Sequence, residues 1–432
     1  MRLVAGTHGQ AFFGLADQAL ISFGNLAIGM ALIRLSSKED YGLYIIGFGL
    51  LNLVTSINSA LFTVPMTVMA HNQKTQADQR SYCMALLRSQ VIFGATICLL
   101  IATAIYKSTD FSFSKSIDYP FAIALTIAIP GILLQDFFRR YHYLEFKAYR
   151  AFAVDALALT ATLLILAFAA ITDKGDMHVW AIIGTGLAGA LSGSAALAWS
   201  GIHREPIHYG TRKAFLECWT QGRWALTGAT INWTQGQSYA FFLSWLGGLA
   251  GLAEANAARL LLAPLGLLTT GLSSAMMPRL AKLRSEGRLQ EMETQSLYFL
   301  FSMAFVTIGY SATAWTWRDT LTTAMLGEKY TNASLFILAW ASVSLLTSVR
   351  ISISILMQAS VEFKRITFAN FWSTLTVLSI TGAYIHFYGI LGSIYALAAG
   401  ELIMTLFLWR AFEYAKTSRS MHHSKINQNS MN

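Results

Sequence analysis

Charge is scarce in this chain. Asp, Glu, Lys and Arg make up 12% of it, against 55% from the apolar set. That balance excludes an ordinary soluble enzyme with a large core and describes a polytopic membrane protein. Cysteine is scarcer still, and Cys83, Cys98 and Cys218 offer neither a disulfide framework nor a metal-ligand spacing. No Gly-Lys-Ser/Thr phosphate loop occurs, so the chain is not expected to hydrolyse nucleotide itself. Embedded histidine is not expected: His142, His203 and His208 are read in loops and His386 at a helix end. Long loops are missing too. The longest outer segment, residues 107–118, is about a dozen residues, an ordinary connection. The first ten residues carry one charge and no small-residue cleavage site, so the first helix is expected to act as an uncleaved insertion signal. No cofactor or metal is expected.

What is present is long apolar runs. A hydrocarbon core needs about 20 apolar residues per helix. Twelve such segments are read at 11–33, 41–69, 81–106, 119–138, 151–171, 177–199, 219–245, 255–277, 294–317, 334–357, 366–386 and 390–411. With the amino terminus inside, the cytoplasmic segments hold 20 Lys and Arg residues and the outer loops 7. This bias places both termini in the cytoplasm. The net charge of +9 then reflects basic loops near anionic lipid rather than a nucleic-acid partner.

The chain also repeats. Glu145-Phe146-Lys147 returns as Glu362-Phe363-Lys364, an offset of 217. Asn58-Ser59-Ala60 followed by Pro65 returns as Ser273-Ser274-Ala275 followed by Pro278, at offset 215 with a short gap before the proline. Two matches at nearly one offset indicate duplication of a six-helix unit, with the repeats parallel because the helix number is even. The expected organisation is a first bundle at 1–200, a cytoplasmic linker at 201–218 containing Pro206, and a second bundle at 219–432 ending in a short cytoplasmic tail. Pro65, Pro130, Pro264 and Pro278 mark bending points or simple kinks.

Two helices carry an unusual polar load. In the seventh, Arg223, Thr227, Thr230, Thr234 and Ser238 fall on one helical face, broadened by Asn232, Gln235 and Gln237. In the first, Gln10, Gly14, Gln18, Ser22, Asn25 and Gly29 form a similar stripe. Polar groups are costly in hydrocarbon, so both faces are expected to meet other helices or a shared lumen. The second helix carries Asn52, Ser56, Ser59 and Thr63 on one face, which close packing explains as well as a lumen.

Four arginines lie within helices: Arg88, Arg223, Arg259 and Arg350. Each either snorkels to an interface or lines a cationic cavity. Among the embedded acids, Asp136 has local partners in Arg139 and Arg140. Asp17, on the polar first helix, either pairs with Arg88 or Arg223 or binds a proton or Na⁺. Trp233, mid-helix, either packs, meets lipid or stacks on a sugar ring. Gly184-Thr185-Gly186-Leu187-Ala188-Gly189 matches a dinucleotide fingerprint letter for letter. It follows no soluble strand, so close helix packing accounts for the glycines.

Four stretches then resemble the polysaccharide-flippase branch of the MOP superfamily of multidrug, oligosaccharidyl-lipid and polysaccharide exporters. They are Gly14-Leu15-Ala16-Asp17-Gln18, Ser36 to Leu43 with its ending Tyr41-Gly42-Leu43-Tyr44, Arg139-Arg140-Tyr141 through Lys147, and Val361-Glu362-Phe363-Lys364. The resemblance implies an all-α, MATE-like fold of two pseudo-symmetric six-helix bundles around a central, often cationic, cavity. It also implies alternating-access transport of undecaprenyl-pyrophosphate-linked oligosaccharide across a bacterial inner membrane. Polymerases and glycosyltransferases of surface-polysaccharide synthesis (O-antigen or exopolysaccharide) would be the partners. On that reading Arg88, Arg223, Arg259 and Arg350 attract the pyrophosphate. Gln18, Asn25, Thr230, Asn232, Thr234, Gln235 and Trp233 meet the sugars, and Asp17 couples transport to an ion. A MATE-type antiporter of cationic drugs is the alternative. A membrane polysaccharide polymerase or ligase is a third reading, opposed by the short outer loops and the absence of embedded histidine.

Overall fold

The computed structural model describes residues 7–110, 119–172, 175–202, 208–360 and 362–429. The outer segment 111–118 and the linker residues Arg204 and Pro206 lie outside them, as does Val361 of the second Glu-Phe-Lys stretch. Among the described residues there is no strand. Fourteen α-helices of six residues or more carry the fold in the described residues: α1 Thr7–Leu35, α2 Lys38–Asn58, α3 Val64–Met69, α4 Gln76–Asp110, α5 Tyr119–Leu144, α6 Ala148–Ile171, α7 Met177–Ser200, α8 Thr211–Leu246, α9 Gly248–Leu261, α10 Ala263–Ser285, α11 Leu289–Thr316, α12 Ile337–Ala359, α13 Phe363–Tyr388 and α14 Ile390–Asn429.

Each of the twelve segments read from the sequence has a helical counterpart, two of them in pieces. The second is α2 and α3 joined through a π-helical turn, Ser59–Thr63. The eighth is α9 and α10, bent by 53° at Leu262, next to Pro264. Among the described residues nine helices are long and apolar enough to cross a membrane, and the bent pair makes ten if it is one span. The remaining counterparts, α8 and α13, fall short because of their polar content. The protein is therefore a multi-pass α-helical membrane protein.

Local chemistry sets the helix ends. Ser37 caps α2 by accepting from the Asp40 N–H at 3.0 Å, and the Asp40 carboxylate accepts from the Ser37 N–H, closing a capping box. The short turn between α13 and α14 turns on Gly389, whose φ of 58° and ψ of −137° suit glycine alone.

The chain forms two compact units, Met1–Trp233 and Thr234–Asn432. The division falls inside α8, downstream of the linker where the sequence suggested it. In the first unit α5 and α7 cross backbone to backbone. A Cβ on Gly131 would lie 1.9 Å from the Gly186 carbonyl oxygen, and one on Gly186 would lie 2.3 Å from the Ala128 Cα. The Gly-x-Gly-x-x-Gly run is thus a packing surface. A Gly186→Val substitution is expected to destabilise the first unit by about 3 kcal/mol, the upper end for overpacking. Thermal melting of the purified protein by size-exclusion recovery checks this; an unchanged melting curve would contradict the crossing. In the second unit α13 and α14 are joined similarly, with Ser373 Oγ donating to the Gly400 carbonyl at 2.7 Å.

The start of α8 is anchored in the first unit. Ala214 and Cys218 join a buried cluster with Met66, Tyr82, Leu86 and Phe137. Tyr209, just before the helix, donates to the Glu217 carboxylate at 2.7 Å. Burial and that carboxylate together push its phenol up to about 12.

Candidate functional site

The first unit holds a buried ionic cluster built by α1, α5 and α6. Asp17, fully buried, accepts from Arg139 Nε at 3.1 Å and Nη2 at 3.0 Å, and from the Tyr143 hydroxyl at 2.6 Å. Arg139 Nε also lies 2.7 Å from Asp155 Oδ2. Its single hydrogen is aimed at Asp17, so the Asp155 contact is electrostatic. Gln135 Nε2 donates to the other Asp155 oxygen at 2.9 Å. Two carboxyl groups thus share one guanidinium. Asp17 Oδ1 is buried without a hydrogen-bond partner, so the cluster has an acceptor to spare.

The partner of Asp17 is therefore Arg139, not Arg88 or Arg223. Arg139 is drawn away from Asp136, whose ionic neighbour is Arg140 at 3.9 Å. A signal for this was present in the chain: Arg139 and Tyr143 lie one helical turn apart and share the face turned to α1. Nothing local marked Asp155. Only the packing of α6 against α5 brings it in.

The second unit holds a smaller counterpart. Arg350 Nε on α12 lies 2.5 Å from Glu401 on α14, and Gln235 Nε2 on α8 donates to the same carboxylate at 3.3 Å. Gln235 is buried here, and Arg350 is neutralised. Arg259 on α9 differs. Its guanidinium lies over the Tyr239 ring at 5.9 Å and the Trp340 ring at 5.3 Å, and Nη1 donates to the Tyr239 hydroxyl at 3.0 Å. Asn256 donates to that hydroxyl as well, at 2.9 Å, so the ring that seats Arg259 is itself held.

The other candidate residues are more open. Arg88, Arg223, Thr230, Asn232, Gln18 and Asn25 are exposed, and Thr234 is half-buried. Arg223 lies over the Trp224 ring at 5.6 Å. Trp233 is half-buried and donates from Nε1 to the Gly49 carbonyl at 2.9 Å, which gives its indole N–H a packing role against α2. The α8 stripe thus begins exposed at Arg223 and ends buried at Ser238. Among the described residues, Arg88, Arg223 and Arg259 have no carboxylate within ion-pair distance, whereas Arg139 and Arg350 do. Of the four arginines singled out in the sequence, Arg350 is therefore neutralised within the protein, while Arg88, Arg223 and Arg259 are available to an external anion.

A family model described as polysaccharide biosynthesis protein matches residues 31–335. Among solved structures, the chain is similar to an inward-facing multidrug resistance MATE family transporter of the MOP superfamily. The TM-score is 0.73, with 16% identity over 95% of this chain and 99% of the other. An outward-facing conformation of such a transporter gives a TM-score of 0.66 at 16% identity, covering 94% of each chain. A MOP superfamily transporter from Pyrococcus furiosus Vc1, described as having a binding pocket of reversed polarity, gives 0.64 at 16% identity and 94% of each chain. At such identities the likeness speaks for the fold. Comparison with curated proteins gives no match.

Proposed function

Because the chain belongs to the polysaccharide biosynthesis protein family, with the fold of MOP-superfamily transporters, we propose that it flips undecaprenyl-pyrophosphate-linked oligosaccharide across a bacterial inner membrane by alternating access. The observation that carries this reading is that three of the four arginines singled out in the sequence, Arg88, Arg223 and Arg259, have no carboxylate partner among the described residues. A cation held in a membrane helix at an energetic cost calls for an anion, and a diphosphate supplies one in the geometry that guanidinium groups match best. Thr230, Asn232, Thr234, Gln18 and Asn25 supply hydrogen bonds to sugars. Both termini lie in the cytoplasm, where glycosyltransferases deliver the substrate, and a polymerase receives the product on the far side.

The decisive experiment is surface-glycan display in cells lacking the gene. Lost display with lipid-linked repeat units accumulating inside supports the flippase. Normal display with altered sensitivity to cationic drugs hands the chain to the antiporter reading, which its fold likeness to multidrug transporters favours. Against that reading, Glu401 already faces Arg350, and Asp17 and Asp155 face Arg139.

Two acids facing one arginine leave a group at Asp17 and Asp155 that suits a coupling ion. Neutralising it by Asp17→Asn is expected to flatten the dependence of flipping on a pH or Na⁺ gradient. Transport measured in inverted vesicles at several gradients tests this, and an unchanged dependence discards the coupling role.

A further inference from the structure

A second polar network of the first unit, separate from Asp17, sits on the π-turn between α2 and α3. Asn58 Nδ2 donates to Asp136 Oδ2 at 3.2 Å, and Thr63 Oγ1 donates to the same oxygen at 3.5 Å. Asn58 and Thr63 are both fully buried. They are five residues apart. On a regular α-helix that spacing places two side chains about 140° apart, too far to meet one carboxylate. The turn Ser59–Thr63 is π-helical, with the Val64 N–H reaching back to the Ser59 carbonyl. Such a turn takes in one extra residue, equivalent to about 100° of rotation, and returns both side chains to one face. The π-turn and the Asp136 contacts therefore require each other.

The outer side of this turn seats α8. A Cβ on Gly222 would lie 2.7 Å from the Ala60 carbonyl oxygen and 3.1 Å from the Leu61 Cα, so the two backbones touch there. The other anchor is Trp233 on the Gly49 carbonyl at 2.9 Å. The two anchors are equally spaced on α2 and on α8, one at the π-turn and one on its amino-terminal side. Arg223, Thr230 and Asn232 ride between them.

We propose that Asp136 is a positioning residue: by holding the π-turn, it sets the rotation of the α8 stripe that carries Arg223, Thr230 and Asn232. The network has a ready alternative, because Asn58 Oδ1 and Arg140 Nε are buried next to Asp136 without hydrogen-bond partners. A partly satisfied buried network yields easily to a second arrangement. Without the carboxylate, residues 59–63 relax toward a regular α-turn and the two anchors fall out of register. The functional consequence rests on the reading of Arg223 as a pyrophosphate contact; the structural claim does not.

Single cysteines test it. Thr227→Cys, Thr230→Cys and Asn232→Cys are placed in turn in the full chain, in a Cys98→Ser background, and labelled with a charged maleimide in membrane vesicles. Asp136→Ala is expected to redistribute the labelling rates among the three positions severalfold. Asp136→Asn, which keeps an acceptor oxygen, restores the original pattern, and Thr313→Cys in the second unit labels equally throughout. Where Asp136→Ala does not accumulate, Thr63→Val carries the test, with a smaller redistribution. An unchanged pattern in folded Asp136→Ala or Thr63→Val protein overturns the proposal. Labelling needs no substrate, so the flippase reading fails or stands separately: redistributed labelling with normal glycan display keeps the positioning and discards Arg223 as a substrate contact.

Discussion

Arg139→Ala is expected to cost the first unit about 3–5 kcal/mol, the usual penalty for stranding the partners of a buried ion pair. Here two carboxylates are stranded at once. Asp17 loses both guanidinium hydrogen bonds and keeps only the Tyr143 hydroxyl, and Asp155 keeps only Gln135. Neither acid has another cation in contact among the described residues. A penalty of that size is a large share of a domain's marginal stability, so the variant should accumulate poorly and melt well below the parent. The charge-balanced variant Arg139→Leu with Asp17→Asn and Asp155→Asn should recover much of the loss, because removing a whole buried ionic group is far less harmful than removing half of it. Thermal size-exclusion profiles of the three proteins in detergent decide the matter. Equal melting of Arg139→Ala and parent would mean that the cluster is not the electrostatic centre of this unit.

Arg223→Ala and Arg259→Ala should each lower glycan display roughly tenfold to a hundredfold at equal protein levels, the factor that follows from losing one charge-assisted hydrogen bond to an anion. Arg259→Lys should rescue only partly. Lysine keeps the charge but lacks the planar face that rests on Tyr239 and Trp340 and the fork that meets a phosphate through two bonds. Arg350→Ala should behave differently. It leaves Glu401 unpaired and buried, so its defect is expected in protein level rather than in transport per molecule. Complementation with quantified membrane protein separates the two patterns. Full rescue by both Arg223→Ala and Arg259→Ala in cells that otherwise lose display would keep the flippase and discard these two sites.

Much of the architecture was legible in the chain because it depends on periodicity alone. Every apolar segment became helix, since backbone groups in lipid must be satisfied within the segment. The break read between residues 386 and 390 is a tight turn, made possible by the backbone freedom of Gly389. The glycines around Gly186 were read as packing and are packing. The three arginines left without acids were visible only as members of a set of four. Which of the four was neutralised depended on Glu401, which lies 51 residues along the chain from Arg350, and no local pattern joins them. Asp136 shows the same limit from the other side. Its neighbours at 139 and 140 promised two local partners; Arg140 is one, at 3.9 Å, but Arg139 turns to Asp17, and Asp136 also meets Asn58 across 78 residues.

Hydropathy was thus sufficient for the membrane-spanning class and the helical segments, because each is set by the solvent the segment meets. The pairing of charges, the π-turn at 59–63 and the break at Leu262 were settled only when helices packed. A buried charge takes the partner that packing brings within about 3 Å, since in a low-dielectric interior the Coulomb energy and the desolvation penalty both depend steeply on that distance, and sequence separation does not enter.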